Sequence, residues 1–123
     1  MESKELTVVI VTLKSENKIL KCLESISNEI PVIVVENSNS ENFKRLIESN
    51  YKNVNCILTG ENKGYSIANN IGLELVKTKY ALVLNPDTVL DKSAIKNFLI
   101  SVKTIQDFWL MGPANDQMAE INL

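Results

Sequence analysis

Apolar residues in this chain fall in short blocks separated by polar breaks, and the blocks follow two different periods. Leu6-Thr-Val-Val-Ile-Val-Thr12 is β-branched and apolar on both faces, the pattern of a strand buried inside a parallel sheet rather than of a half-exposed hairpin strand. After Lys14-Ser15, Ile19, Leu20, Leu23 and Ile26 recur at helical spacing until Asn28 and Pro31 interrupt them. A second buried strand is predicted over Val32–Glu36. Ser38, with Glu41 three positions on, predicts a capping box for a helix whose inner stripe is Phe43, Leu46 and Ile47. A third strand is expected over 54–59, a turn over 60–64, and a third helix marked by Ile67, Ala68, Ile71 and Leu75. Tyr80–Leu84 reads as a fourth strand that Asn85-Pro86-Asp87 cuts short. Asp91 is placed to cap a fourth helix with Ile95, Phe98, Leu99 and Val102 inside, and residues 108–111 are expected to begin a fifth strand.

Strands and helices that alternate at this spacing imply right-handed βαβ crossovers, so the expected fold is α/β, a mostly parallel sheet flanked by helices. The length of 123 residues suits one domain, with a core large enough to need neither disulfides nor a structural metal. A formal net charge of -2 supplies no broad positive field, which argues against nucleic acid as a partner. Two cysteines, no histidine and no CxxC pair argue against a zinc site. Cys22 lies in a helical pattern and Cys56 in a strand, so both are read as small core residues in a reducing compartment. Met-Glu-Ser-Lys-Glu has neither a basic nor a long apolar stretch, and no apolar run reaches the roughly 20 residues of a membrane span. The expected location is the cytoplasm, with peripheral attachment to the inner membrane left open.

In open parallel sheets ligands sit beyond the carboxyl ends of the strands, which singles out four polar segments: 12–15, 36–38, 61–64 and 85–87. Neither GxxxxGK[ST] nor a GxGxxG after the first strand is present, so P-loop and dinucleotide-binding Rossmann readings are disfavoured. Gly64 permits a tight turn, the helix after it offers unpaired N–H groups to an anion, and Lys63 can add a positive charge. Ala68 and Gly72 leave one side of that helix small enough for close approach. Asp87 at a strand end can hold Mg²⁺ or Mn²⁺ when a diphosphate and water complete the shell, and Pro86 restricts the backbone that aims it. Each feature has a plainer reading. Asn-Pro-Asp is equally a turn, a glycine before a helix is more often only a cap, and Glu36 and Thr12 can be strand-end polar groups without a ligand. Tyr51, Tyr65, Tyr80 and Trp109 read as packing residues.

Taken together, Val9-Ile-Val-Thr-Leu-Lys-Ser15, Val34-Val-Glu-Asn-Ser38, the pattern N-x-G-Y-x-x-A-x-N-x-G from Asn62 to Gly72, and Leu84-Asn-Pro-Asp-Thr88 resemble the family 2 glycosyltransferases, especially their rhamnosyltransferase-like branch. The resemblance runs from Leu6 to about Pro113. It implies a GT-A fold, in which Thr12 and Glu36 help hold a nucleoside, Asn62, Lys63 and Gly64 lie against the nucleotide, and Asp87 binds Mg²⁺ or Mn²⁺ on the diphosphate. Asn85 to Asp87 takes the place of the family's DxD motif, with Asn85 at its first acidic position, and Glu36 stands where Asp is more usual. The implied partners are a nucleoside-diphosphate sugar donor and a glycan or lipid-linked acceptor.

In inverting members a carboxylate from the second half of the domain deprotonates the acceptor. The residues that follow Asp87 are too few for that half, so residues 1–123 are expected to be a single truncated nucleotide-sugar-binding domain, and no catalytic base is assigned. Apolar surface left uncovered by the missing half is expected to drive self-association into a homo-oligomer. Two other functions compete: a non-catalytic nucleotide-sugar-binding module, and an assembly protein built on a degenerate form of the fold.

Overall fold

The structure, a computed structural model, describes residues 5–105. They fall into two compact units divided between Lys92 and Ser93. The first contains four strands, β1 (Leu6–Thr12), β2 (Val32–Glu36), β3 (Val54–Leu58) and β4 (Tyr80–Leu84), and three helices, α1 (Glu16–Glu24), α2 (Glu41–Asn50) and α3 (Tyr65–Glu74). In the second, α4 (Ala94–Thr104) buries Ile95 and Leu99. No helix among the described residues is long and apolar enough to cross a membrane. The expected strand over 108–111 and Trp109 lie outside the described residues.

All four strands are parallel and form one sheet in the order β3-β2-β1-β4. Every residue of β1 and β2 is buried, as expected for runs apolar on both faces. Crossovers from β1 to β2 to β3 proceed in one direction, and right-handedness carries α1 and α2 over one face of the sheet. The return from β3 to β4 reverses direction and carries α3 over the other face. The order therefore switches between β1 and β4, the place where open α/β sheets hold ligands.

Register divides the core between the two faces. Val8, Ile10 and Thr12 align with Val32, Val34 and Glu36, while Val9 and Val11 align with Ile33 and Val35. On the second face Val11, Ile33, Val35 and Ala68 form a buried cluster, joined by the half-buried Ile57, Ile71 and Val76. Gly72 sets how closely α3 approaches: a Cβ there would lie 2.6 Å from Val9 Cγ1 and 3.0 Å from Val35 Cγ2. The small side of α3 thus faces the sheet, as Ala68 and Gly72 imply, whereas Ile67 and Leu75, two of the apolar residues that mark the helix, are 54% and 43% exposed. Close packing on Gly72 selects Ala68 and Gly72 as the inner stripe and turns the bulkier residues outward. On β4, Val83 is exposed while Leu84 is buried.

Several local expectations need correction. Leu46, placed in the inner stripe of α2, and Tyr65, read as a packing residue, are both exposed. The cap of α2 is Ser40, whose Oγ accepts from Phe43 N, while Ser38 Oγ accepts from Ser40 N in the preceding turn. Asp91 does not cap α4: Ser93 holds that position, and Asp91 Oδ1 accepts from Lys92 N. β3 ends at Leu58, one residue early, with the Thr59 N–H donating to Glu36 O as the last rung between β2 and β3.

β3 is the strand at one edge, and two side chains of α2 engage the outward backbone groups of Cys56 at its centre. Glu48 Oε2 accepts from Cys56 N at 2.9 Å, and Lys44 Nζ donates to Cys56 O and to Glu48 Oε2. Covering such groups blunts the tendency of a bare edge to pair with another chain.

Candidate functional site

Thr12 and Glu36 sit side by side at the carboxyl ends of β1 and β2, each 1% exposed. Thr12 Oγ1 donates to Glu36 Oε1 at 3.0 Å, and Lys14 N donates to the same oxygen at 3.2 Å. Lys14 makes its turn with φ 53°, the single positive φ outside glycine among the described residues. The second carboxylate oxygen, Oε2, is buried and has no hydrogen-bond partner among the described residues. Burying a polar atom unpaired is costly, and such an oxygen is suited to accept from a donor that arrives with a ligand.

Asn37, the next residue, is 3% exposed and joins the β2 end to the loop after β3. Its main-chain N donates to Thr12 O at 2.8 Å. Its Nδ2 donates to Asn62 Oδ1 at 3.0 Å and to Gly64 O at 3.2 Å, and its Oδ1 accepts from Lys63 N at 2.9 Å. Thr59 Oγ1 lies 2.9 Å from that Oδ1 and 2.6 Å from Glu61 O.

Gly64 precedes α3 with φ 84° and ψ 165°, a combination essentially confined to glycine. Its N donates to Asn62 Oδ1 at 3.0 Å, and no side chain caps the helix after it. The first-turn N–H groups of a helix lack intrahelical partners and carry the positive end of its dipole. Lys63 is exposed beside them.

Asn85-Pro-Asp-Thr88 is a hydrogen-bonded turn, with Thr88 N donating to Asn85 O at 3.1 Å and Pro86 at its second position. Asn85 and Asp87 are exposed, and Asp87 makes no hydrogen bond or ion pair among the described residues. Asp87 is thus an exposed carboxylate carried on a turn. Cys22 of α1 lies alongside: its Sγ is 3.9 Å from Asn85 O. Burial, with the Asp87 charge adding to it, pushes the Cys22 thiol up to about 11. Burial pushes the Cys56 thiol up to about 12. Both cysteines are buried and free, as expected for core residues, and neither is a thiolate nucleophile at neutral pH.

A cleft of about 350 Å³ opens at this edge, lined by Leu13, Lys14, Asn37, Ser38, Gly60 and Asn62 among others. Its size lies at the lower end of the range for small-molecule sites. The structure therefore brings Thr12, Glu36, Asn62, Lys63 and Gly64 into one hydrogen-bonded assembly. Asn85 and Asp87 stand apart from it, at the end of β4. Sequence reasoning placed Asn37 in a candidate segment without giving it a role. Its position directly after a buried strand was the available signal, but its partners 22 to 27 positions away were not readable.

The donor set at Asp87 limits what metal it can hold. No cluster of three or more His, Cys, Asp or Glu side chains suited to a metal occurs among the described residues. One exposed, unpaired carboxylate does not build a cage, but it fits Mg²⁺ or Mn²⁺ whose other ligands are phosphate oxygens and water.

Residues 7–107 match the family described as Glycosyl transferase family 2. Among curated relatives, the chain is 30% identical over 113 residues to the low-salt glycan biosynthesis hexosyltransferase Agl10 of Haloferax volcanii, covering 89% of this chain and 36% of that protein. It is 32% identical over 103 residues to the teichoic acid poly(glycerol phosphate) polymerase of Staphylococcus epidermidis, covering 77% and 14%. The chain thus spans a minor part of the length of either relative. Among solved structures, S. aureus TarS 1–349 superposes with a TM-score of 0.69 at 18% identity, over 81% of this chain and 32% of that one. The same TarS fragment in complex with UDP gives a TM-score of 0.63. These neighbours share the fold, a parallel sheet of the GT-A kind, and the match over most of its length shows that this chain belongs to glycosyl transferase family 2.

Proposed function

We propose that this chain binds the nucleoside-diphosphate sugar donor of a glycosyltransferase, for transfer of the sugar to a glycan or lipid-linked acceptor. The observation that carries this reading is the buried Glu36 carboxylate, one oxygen tied to Thr12 and Lys14 and the other without a partner, flanked by residues that line the cleft. Held in this way, Glu36 is suited to accept an N–H or O–H from the nucleoside. The diphosphate would lie toward Lys63 and the uncapped start of α3, where N–H groups and a mobile ammonium favour negative charge. Asp87 would share a Mg²⁺ or Mn²⁺ with the phosphates. When bound, such a metal stabilises the negative charge that develops on the departing diphosphate. Without a cation, Glu36 and Asp87 would repel the ligand they are meant to hold. No described residue is assigned as the base that activates the acceptor.

Titration calorimetry with UDP, the nucleotide held by the TarS neighbour, and with other nucleoside diphosphates tests the reading. Wild type is expected to bind at least one of them, with affinity that falls steeply when Mn²⁺ is chelated. Asp87→Ala is expected to fold normally, since an exposed turn carboxylate contributes little to stability, and to lose the metal dependence. Equal affinity in both proteins, insensitive to chelator, overturns the metal role. Donor hydrolysis, measured alongside, separates a catalytic domain from a binding module.

A further inference from the structure

We propose that Asn37 is the positioning residue of this pocket, its carboxamide setting the shape of the 62–64 turn from which α3 begins. The inference rests on the donor-binding reading above and adds to it a residue that acts through the loop. Lys63 N–H can only donate and Gly64 C=O can only accept, and one side chain meets both, at 2.9 Å and 3.2 Å. Because those backbone groups cannot exchange roles, they settle which end of the amide is oxygen and which is nitrogen. Gly64 N–H settles Asn62 in the same way, by donating to Asn62 Oδ1, which then accepts from Asn37 Nδ2.

A carboxylate has nearly the same shape but no proton to give. At position 37 it would still accept from Lys63 N–H, yet it would face Asn62 Oδ1 and Gly64 O, at 3.0 Å and 3.2 Å, with lone pairs opposed. An aliphatic side chain would satisfy neither backbone group. A short carboxamide serves both from one branch point, while the main-chain N–H of Asn37 donates to Thr12 O at the end of β1. With those hydrogen bonds made inside the protein, Asn37 acts by holding Asn62, Lys63 and Gly64 in place. The loop so held carries the Lys63 charge and the start of α3, the groups that would receive the diphosphate.

The test uses the full chain and the variants Asn37→Ala and Asn37→Asp. Amide hydrogen exchange by NMR reports the turn without any ligand, and UDP titration with Mn²⁺ between pH 4.5 and 8 reports the pocket. In Asn37→Ala the Lys63 amide is expected to exchange on the order of 10-fold faster or more, while β1 amides stay protected. Asn37→Asp is expected to bind UDP on the order of 10-fold more weakly than wild type at pH 8. That deficit should shrink as the pH falls and the introduced carboxyl gains a proton it can donate. Asn37→Ala has nothing to protonate, so its deficit relative to wild type should not shrink. Wild-type-like Lys63 exchange in Asn37→Ala, or an Asn37→Asp deficit that does not change with pH, overturns the inference. If wild type binds no nucleoside diphosphate, the donor reading falls and takes the functional role of Asn37 with it. Normal wild-type binding with unaffected variants overturns the positioning role alone. Should Asn37→Ala fail to fold, the two-pH comparison on Asn37→Asp decides.

Discussion

Replacing Gly72 by alanine sets two physical effects against each other with opposite signs. Gly72 lies inside α3, where alanine is favoured over glycine by about 1 kcal/mol in intrinsic helix propensity. Propensity alone therefore predicts a more stable protein. The added Cβ would meet Val9 Cγ1 at 2.6 Å and Val35 Cγ2 at 3.0 Å, against an optimum for carbon pairs of about 3.5–4.0 Å. Val9 and Val35 are fully buried in adjacent central strands, and β-branched side chains have little freedom at χ1. Relief requires either that both valines leave their rotamers, at about 0.5–1.5 kcal/mol each, or that α3 lifts by about 1 Å and loosens its contacts. Overpacking of this kind costs about 1–3 kcal/mol, and a contact this short belongs in the upper part of that range. The net expectation is a loss of about 1–2 kcal/mol, which lowers Tm by about 4–8 °C in a chain of this size. Thermal and urea unfolding followed by circular dichroism would measure it. The double variant Gly72→Ala/Val9→Ala supplies an internal check, because removing Val9 Cγ1 makes room for the new methyl. Its loss should be smaller than the sum of the two single losses by about 1 kcal/mol. A Gly72→Ala protein more stable than wild type would refute the close-packing argument and leave helix propensity as the deciding effect.

Two further outcomes follow from the edge of the sheet and from the cysteines. The Cys56 N–H that donates to Glu48, with Lys44 beside it, holds the Glu48 carboxyl below its usual value even though partial burial opposes this. A folded-state pKa below the unfolded one means the contribution is complete above the unfolded value, near about 4.3, and is lost as the pH falls through the folded value. Glu48→Ala should therefore cost about 1 kcal/mol at pH 7, a figure discounted because the carboxyl is one-third exposed. The gap from wild type should narrow below pH 4; a gap that stays constant down to pH 3 would contradict the assignment. Cys22 and Cys56 should react with a thiol reagent at pH 8 only as fast as the protein opens, and rapidly in denaturant. Fast modification of the folded protein would contradict their burial.

Much of this protein is legible in its residues taken in order. β1 and β2 were predicted to the residue because a run apolar on both faces has few places to lie except inside a parallel sheet. The alternation of strands and helices then implies the crossovers and their hand, and with them the edge where the candidate segments gather. Thr12, Glu36 and the 62–64 turn are accessible for that reason, since the first two end β1 and β2 and the third lies in the loop that leaves β3. What the order of residues could not supply was pairing at a distance. Several side-chain oxygens lie near each helix start and only geometry chooses among them, which is why the α2 cap fell to Ser40 rather than Ser38. The outward turn of Ile67 and Leu75 depends on how near α3 approaches Val9 and Val35, a distance that Gly72 decides only once the sheet is in place. The unpaired oxygen of Glu36 and the shared amide of Asn37 likewise exist only where three strand ends meet. Hydrophobic periodicity is a local property and survives in the sequence, whereas hydrogen-bond satisfaction and steric fit depend on groups brought together by the whole sheet.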